Sequence, residues 1–392
     1  MKRLLPLSFI ALSSLLQADM AIQEFIYKDA RIMGAGAANT AVGGYSSSLF
    51  YNPAGLINIK KSHGMEAELL GLSVTSSSQT QNFVNDLSDA SDSEVIDVMK
   101  KYSGDAFNED LANYSSFSYH MDSNIAYSIG ILASGDINFI PHANEGTNGL
   151  LETHSRVYGG VTLGAAYELD NVLDGSVTLG VGAKYIQQKS YEVGLTESEV
   201  IQHKDDLLTY LQDTYEVDNS GFGIDLGVLY KPSFLASWHP SFGVSLMNIG
   251  TLNFTDSYGA QPMTLNFGAA IAPKISWLDS LCVSLDYVDA LNAQQMRIRN
   301  YNPYYSNDQY DNADVEFDML QHIRAGVSAG IIDNEWFLLT LNGGLYQGSY
   351  TAGFDMQVTV LKLQFATYQE QLGSQVGQLE DRRYMAQLGI GW

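Results

Sequence analysis

The chain has 392 residues, 45% of them hydrophobic, and its 44 Asp and Glu outweigh 20 Lys and Arg for a formal net charge of −24. That balance excludes a nucleic-acid binder, whose partner's phosphates demand clustered Lys and Arg, and favours divalent cations or basic partners. The single cysteine, Cys282, excludes an internal disulfide and a cysteine-based metal site.

At the start of the chain, Lys2 and Arg3 precede an apolar run from Leu4 to Leu16 that ends in Gln17 and Ala18. This is the pattern of a secretory signal peptide over residues 1–18, with cleavage expected after Ala18. The run is shorter than the roughly 20 residues that a bilayer-crossing helix needs. No cysteine follows it, which removes a lipoprotein route. Nothing downstream is apolar for the roughly 18 residues of a transmembrane helix, so a membrane-embedded form of this chain must cross by strands.

Residues 19–61 form a separate block dominated by small side chains. It contains Ala30-Arg31-Ile32-Met33-Gly34-Ala35-Gly36-Ala37-Ala38-Asn39-Thr40-Ala41 and then Leu49-Phe50-Tyr51-Asn52-Pro53-Ala54-Gly55-Leu56. The Gly-x-Gly start is not a dinucleotide fingerprint, because its sixth position is Asn39 and no βαβ pattern surrounds it. Asn52-Pro53 is also a turn starter in its own right.

From residue 62 onward the chain alternates. Phe222, Ile224, Leu226 and Val228 fall on one face, opposite Gly221, Gly223, Asp225 and Gly227. Val177, Leu179, Val181, Ala183 and Tyr185 similarly oppose Thr178, Gly180, Gly182 and Lys184. One face suits lipid and the other a polar or crowded interior. Strands are predicted over 62–77, 114–121, 124–140, 151–168, 175–193, 220–231, 240–249, 263–272, 281–288, 319–329, 336–345, 353–360, 361–369 and 383–392. Fourteen is an even number, as single-chain bacterial barrels require, and the connections alternate between long and short. The fold class is therefore all-β: a transmembrane antiparallel β-barrel over 62–392.

Within the long connections, Thr196 to Tyr215 and Ser93 to Tyr102 carry helical spacing, suited to a lid on the barrel rim. Trp238, Trp277, Trp336 and the C-terminal Trp392 all fall at short connections or at the chain end, as a membrane-interface girdle would place them. The last strand, ending in Trp392, is expected to engage the barrel-assembly machinery. The seven histidines show no paired metal spacing and no G-x-S-x-G elbow occurs. No catalytic residue, metal or cofactor is expected, and the inward Asp225 and Asp286 are read as structural acids.

The Ala30-Arg31-x-Met33-Gly34-x-Gly36 opening, the Tyr51-to-Leu56 element, and the C-terminal Gly353 to Tyr368 and Glu380-Asp381-Arg382-Arg383-Tyr384 resemble the FadL-like outer-membrane transporters of hydrophobic compounds, with the related PorV-like and conjugal TraF-like barrels. The resemblance covers nearly the whole chain and matches little in the loops. It implies an N-terminal hatch in the lumen over residues 19–61, with Asn52, Pro53, Ala54, Gly34 and Gly36 as hatch or ligand residues. It implies an outer-membrane protein, surrounded by lipid, for passive transport of hydrophobic small molecules such as long-chain fatty acids. The alternative within the resemblance is a PorV-like or TraF-like accessory barrel that assists secretion or conjugation and transports no small molecule.

Overall fold

The computed structural model describes residues 20–21, 25–59, 65–120, 124–146, 148–254, 257–300 and 309–391. The predicted signal peptide and Trp392 lie outside the described residues. In chain order the strands are β1 (Met20–Ala21), β2 (Met65–Ser77), β3 (Phe107–His120), β4 (Ile125–Gly146), β5 (Gly149–Val172), β6 (Gly175–Leu195), β7 (Val217–Pro232), β8 (Ser241–Gly250), β9 (Thr264–Ile271) and β10 (Ser280–Tyr287). They continue as β11 (Gln295–Asn300), β12 (Gln309–Asp314), β13 (Ile323–Asp333), β14 (Phe337–Tyr346), β15 (Ser349–Val358), β16 (Leu361–Gln371) and β17 (Glu380–Gly391).

Fourteen of these, β2–β10 and β13–β17, form one closed antiparallel barrel, and β17 pairs with β2 through partners such as Met385 with Thr75 and Leu388 with Leu72. Closure leaves no sheet edge exposed to hydrocarbon, where an unpaired backbone group costs several kcal/mol. The alternation seen in the sequence is realised in space. Phe222, Ile224, Leu226 and Val228 are exposed while Gly221, Gly223, Asp225 and Gly227 are buried, and β6 and β17 repeat the pattern. The barrel is of the outer-membrane type, with an apolar outer wall, short turns at one end and long loops at the other; the turn end is the periplasmic one in such barrels.

Several elements differ from the sequence-based reading. The second barrel strand begins at Phe107, seven residues before the expected 114, because the side-chain nitrogen of inward Asn108 donates across the sheet to Asn138 (3.1 Å) and a polar start is tolerated. Met319–His322 form a short helix capped by Asp318, which accepts from the Leu320 amide at 2.9 Å, so β13 starts at Ile323. The connection 288–322 also holds β11 and β12, which with β1 make a separate three-stranded sheet. The expected loop helices are present as Val95–Tyr102 and as two pieces, Glu197–His203 and Leu207–Tyr215, joined by an unpredicted helix at Thr80–Asp89.

Leu226 lies on the lipid face near the middle of β7. Leu226→Arg is expected to destabilise the barrel by about 2–4 kcal/mol, the cost of an arginine facing mid-bilayer lipid. Denaturant titration of the protein refolded in lipid vesicles measures it.

Candidate functional site

The described N-terminal residues 25–59 run through the barrel interior. Near the loop end the Ile26 carbonyl accepts from Ser134 at 3.0 Å, and near the turn end the Ile59 carbonyl meets Nδ1 of His120 at 3.1 Å. Between these points lies one helical turn, α1 (Ala30–Gly34). Asp29 caps it by accepting from the Arg31 amide at 3.0 Å, and the same carboxylate takes Nε and Nη2 of Arg31 at 2.9 and 2.6 Å. Ser47 donates to Asp29 at 2.7 Å, and the Arg31 guanidinium sits 4.1 Å over the Tyr45 ring. This cluster supplies the pairing and hydrogen bonds that a buried charge requires.

The same economy extends to the wall. Lys28 pairs with Glu370, which also accepts from Tyr346 at 2.9 Å, while Arg383 holds Asp381 at 2.6 Å. Lys362 lies 3.3 Å from Glu68, and Arg156 lies 2.7 Å from Asp136.

The residues implicated by the resemblance fall at two places on the wall. Asn52 is the cap of a 3-10 turn, Pro53–Asn58, with Pro53 at its first position, where its fixed φ and missing N–H are tolerated. Its side-chain nitrogen donates to the carbonyls of Thr40 (2.7 Å) and Val228 (3.2 Å), and its oxygen accepts from the Ala54 amide at 3.0 Å. One side chain thus ties two passes of the N-terminal segment to β7. Gly34 and Gly36 lie further round the wall, where Thr351 donates to the Gly34 carbonyl (2.8 Å) and accepts from the Gly36 amide (3.0 Å). Gly36 has φ +69, and a Cβ there would fall 2.1 Å from the Ala325 carbonyl oxygen.

Inward glycines of the wall make this approach possible. A Cβ on Gly180 would fall 2.1 Å from the Ala54 nitrogen, on Gly227 2.0 Å from Asn52 Oδ1, on Gly243 2.1 Å from the Thr40 oxygen, and on Gly326 2.2 Å from the Ala35 oxygen. Gly180 pairs with Gly227 across the sheet, and Gly326 with Gly344, so the cleared track passes from strand to strand. Sequence reasoning noted these glycines only as crowding. It did not single out Thr351, whereas Asp286, read as a structural acid, accepts from the Thr40 amide at 2.7 Å.

Two cavities flank the segment. One, about 50 Å³, lies between residues Phe25, Ile26, Ala37, Thr40, Phe50 and Tyr51 and the loop-end part of β8–β10, including Met247, Asn248, Pro262, Thr264, Asn266, Val288 and Gln294. At its polar end Lys184 pairs with Asp225 (3.0 Å) and donates to Asn248 Oδ1 (2.7 Å). Asn248 adopts φ +60 at a bulge where the β7–β8 register shifts. The other cavity, about 640 Å³, is at the turn end and is lined by Arg31, Tyr45, Glu66, Asp355, Lys362 and Trp336 among others.

Opposite the small cavity the mouth is capped by the loop helices α2 (Thr80–Asp89), α3 (Val95–Tyr102), α4 (Glu197–His203) and α5 (Leu207–Tyr215). Phe83, Met99, Tyr102, Val200 and Leu211 form a dry cluster with Phe107, Phe139 and Leu151 of the strands. Trp238, Trp277 and Trp336 are exposed in turn-end connections. Among the described residues no group of three or more His, Cys, Asp or Glu is arranged to hold a metal ion.

No known family profile and no curated protein sequence matches the chain. Solved structures do. The Ralstonia pickettii toluene transporter TbuX matches with TM-score 0.55 at 13% identity, over 93% of this chain and 97% of that one. The Pseudomonas putida toluene transporter TodX matches with TM-score 0.53 at 11% identity, over 94% and 98%. The monoaromatic hydrocarbon channel CymD matches with TM-score 0.52 at 11% identity, over 92% and 96%. The chain shares their barrel fold. Coverage is near complete in both directions.

Two outcomes test this geometry. Gly227→Val is expected to displace Asn52 and raise ion conductance in planar bilayers, whereas Gly159→Val, where a Cβ meets nothing within 4 Å, is expected to leave it unchanged. In the lid, partial burial pushes the Glu199 carboxyl up, but hydrogen bonds from Thr196, Tyr210 and Tyr215 outweigh it and hold the group below its ordinary value. Its stabilisation is therefore complete above the ordinary glutamate range and is lost as pH falls through the lowered value. Limited proteolysis of the 196–216 loop is expected to accelerate on acidification in the wild type, and to lose that pH dependence in Glu199→Gln.

Proposed function

We propose that this chain carries small hydrophobic molecules passively across the outer membrane, with residues 19–61 as a movable hatch behind a signal peptide of residues 1–18. Asn52, Pro53, Ala54, Gly34 and Gly36 are the seats of that hatch. Trp238, Trp277, Trp336 and Trp392 anchor the periplasmic interface, and the barrel over 62–392 is inserted by the assembly machinery through its last strand.

The observation that carries this reading is the aromatic-walled cavity built jointly by the hatch and the wall. At about 50 Å³ it is smaller than the ~150 Å³ cavity that holds a benzene, so a ligand enters only as the hatch shifts. The hatch is held by hydrogen bonds, ion pairs and close packing, all reversible. The fold is shared with proteins described as toluene transporters and a monoaromatic hydrocarbon channel. FadL-like resemblance extends the ligand class to long-chain fatty acids, while the compact cavity favours a single ring over a long acyl chain.

A second reading, a PorV-like or TraF-like accessory barrel, draws support from how closely residues 25–59 fill the lumen against the inward glycines.

Uptake of labelled toluene and of a labelled long-chain fatty acid by cells with and without the protein separates the two. Asn52→Ala removes three hydrogen bonds, worth about 3 kcal/mol together, and lets Tyr51 leave the cavity wall. Deletion is expected to abolish uptake and the variant to lower it severalfold at equal barrel abundance. Unchanged uptake with altered secretion or conjugation would replace transport by the accessory role.

A further inference from the structure

We infer that the cavity between the N-terminal segment and β8–β10 is a binding site for a neutral aromatic ring bearing a hydroxyl group, in preference to a plain hydrocarbon or a carboxylate. This deepens the transport reading and rests on it.

The apolar walls set the ring. Phe25, Phe50 and Tyr51 line the cavity, and the Phe25 and Tyr51 ring centroids are 4.9 Å apart at 40°. Such tilted pairs accept a further ring edge in the same way.

The polar end sets the substituent. Lys184 is buried, 3% exposed, and its charge is already matched by the fully buried Asp225 at 3.0 Å. An incoming carboxylate would have to draw Lys184 off Asp225 and leave that acid buried without its cation, which is strongly unfavourable. The Thr264 hydroxyl and the Gln294 amide also line the cavity, and among the described residues neither side chain has a hydrogen-bond partner. A hydrocarbon strips water from both groups and returns nothing, and sites built with hydrogen-bonding groups discriminate hard against ligands that lack a partner. A neutral hydroxyl can donate to the Gln294 carbonyl oxygen or accept from Thr264 while the Lys184–Asp225 pair stays intact.

Three para-substituted toluenes of similar shape make the test: p-cresol, p-xylene and p-toluate, each titrated calorimetrically into the purified full chain in detergent. The expected order is p-cresol tightest, p-xylene about tenfold weaker, the weight of one good hydrogen bond, and p-toluate weakest. The double variant Thr264→Val, Gln294→Leu is expected to bring p-cresol to the level of p-xylene, with heat-dependent gel mobility confirming its fold. Gln294→Leu alone, at a half-buried position outside the strands, is expected to halve the preference or more and gives the readout if the double variant fails to fold. Equal or tighter binding of p-xylene or p-toluate, no binding of any of the three, or a preference that survives Gln294→Leu and the double variant would overturn the inference. Cell uptake separates it from the broader reading: transport fails if no probe enters protein-dependently while the binding order holds, and the site assignment fails if uptake proceeds with the binding order absent.

Discussion

The backbone of residues 25–59 lies directly on the backbone of the barrel wall, and most of the interior follows from that contact. A fourteen-strand barrel is wider than side chains alone can fill, so its lumen holds water or a plug. Here the filling is main chain, admitted by inward glycines such as Gly180, Gly227, Gly243 and Gly326, whose missing Cβ atoms leave the space that the segment occupies. Glycine is costly in an ordinary strand, because it gives up conformational entropy and packs nothing. Its repeated use on the inward face makes sense only with a second layer of chain against it.

Such close packing leaves little room for water, and the charges inside are arranged accordingly. Lys28, Arg31, Arg156, Lys184, Lys362 and Arg383 are buried, and each lies beside a carboxylate. Pairing of this kind adds little net stability, since desolvation offsets the attraction, but it penalises any arrangement in which one partner moves alone. The segment therefore has a defined seat, held at Asp29–Arg31, Lys28–Glu370 and Asn52, and it can leave that seat only by exchanging several partners together.

The wall itself is uneven. Strands of roughly 9–11 residues suffice to cross a bilayer, and β8–β10, at 8–10 residues, are no longer than that, whereas β4–β6 run to 21–24 residues and stand above the membrane. The tall side carries the helical lid and its dry aromatic cluster. On the short side, the β11–β12 hairpin leans back across the mouth through Arg297, which bonds Glu192 of β6 at 3.0 Å. The small cavity lies beneath this side, where the wall, the hairpin base and the N-terminal segment meet.

Local alternation carried most of the architecture in the sequence. Leu226 beside Gly227, or Leu388 beside Gly389, announces which face meets lipid, because side chains in a strand take opposite faces residue by residue. Strand number, loop asymmetry and the placement of Trp238, Trp277 and Trp336 on turns were legible for the same reason. The polar start of β3 was not, since Asn108 is stabilised by Asn138 from another strand, nor was the helical turn before β13. The seat of Asn52 against Gly227 and the meeting of Thr40 with Asp286 were also out of reach, as each joins residues more than 170 positions apart in the chain. Periodicity is a local property and determined the barrel; the path of the N-terminal segment and its cavity depend on register and closure around the whole ring, and only the tertiary structure decided them.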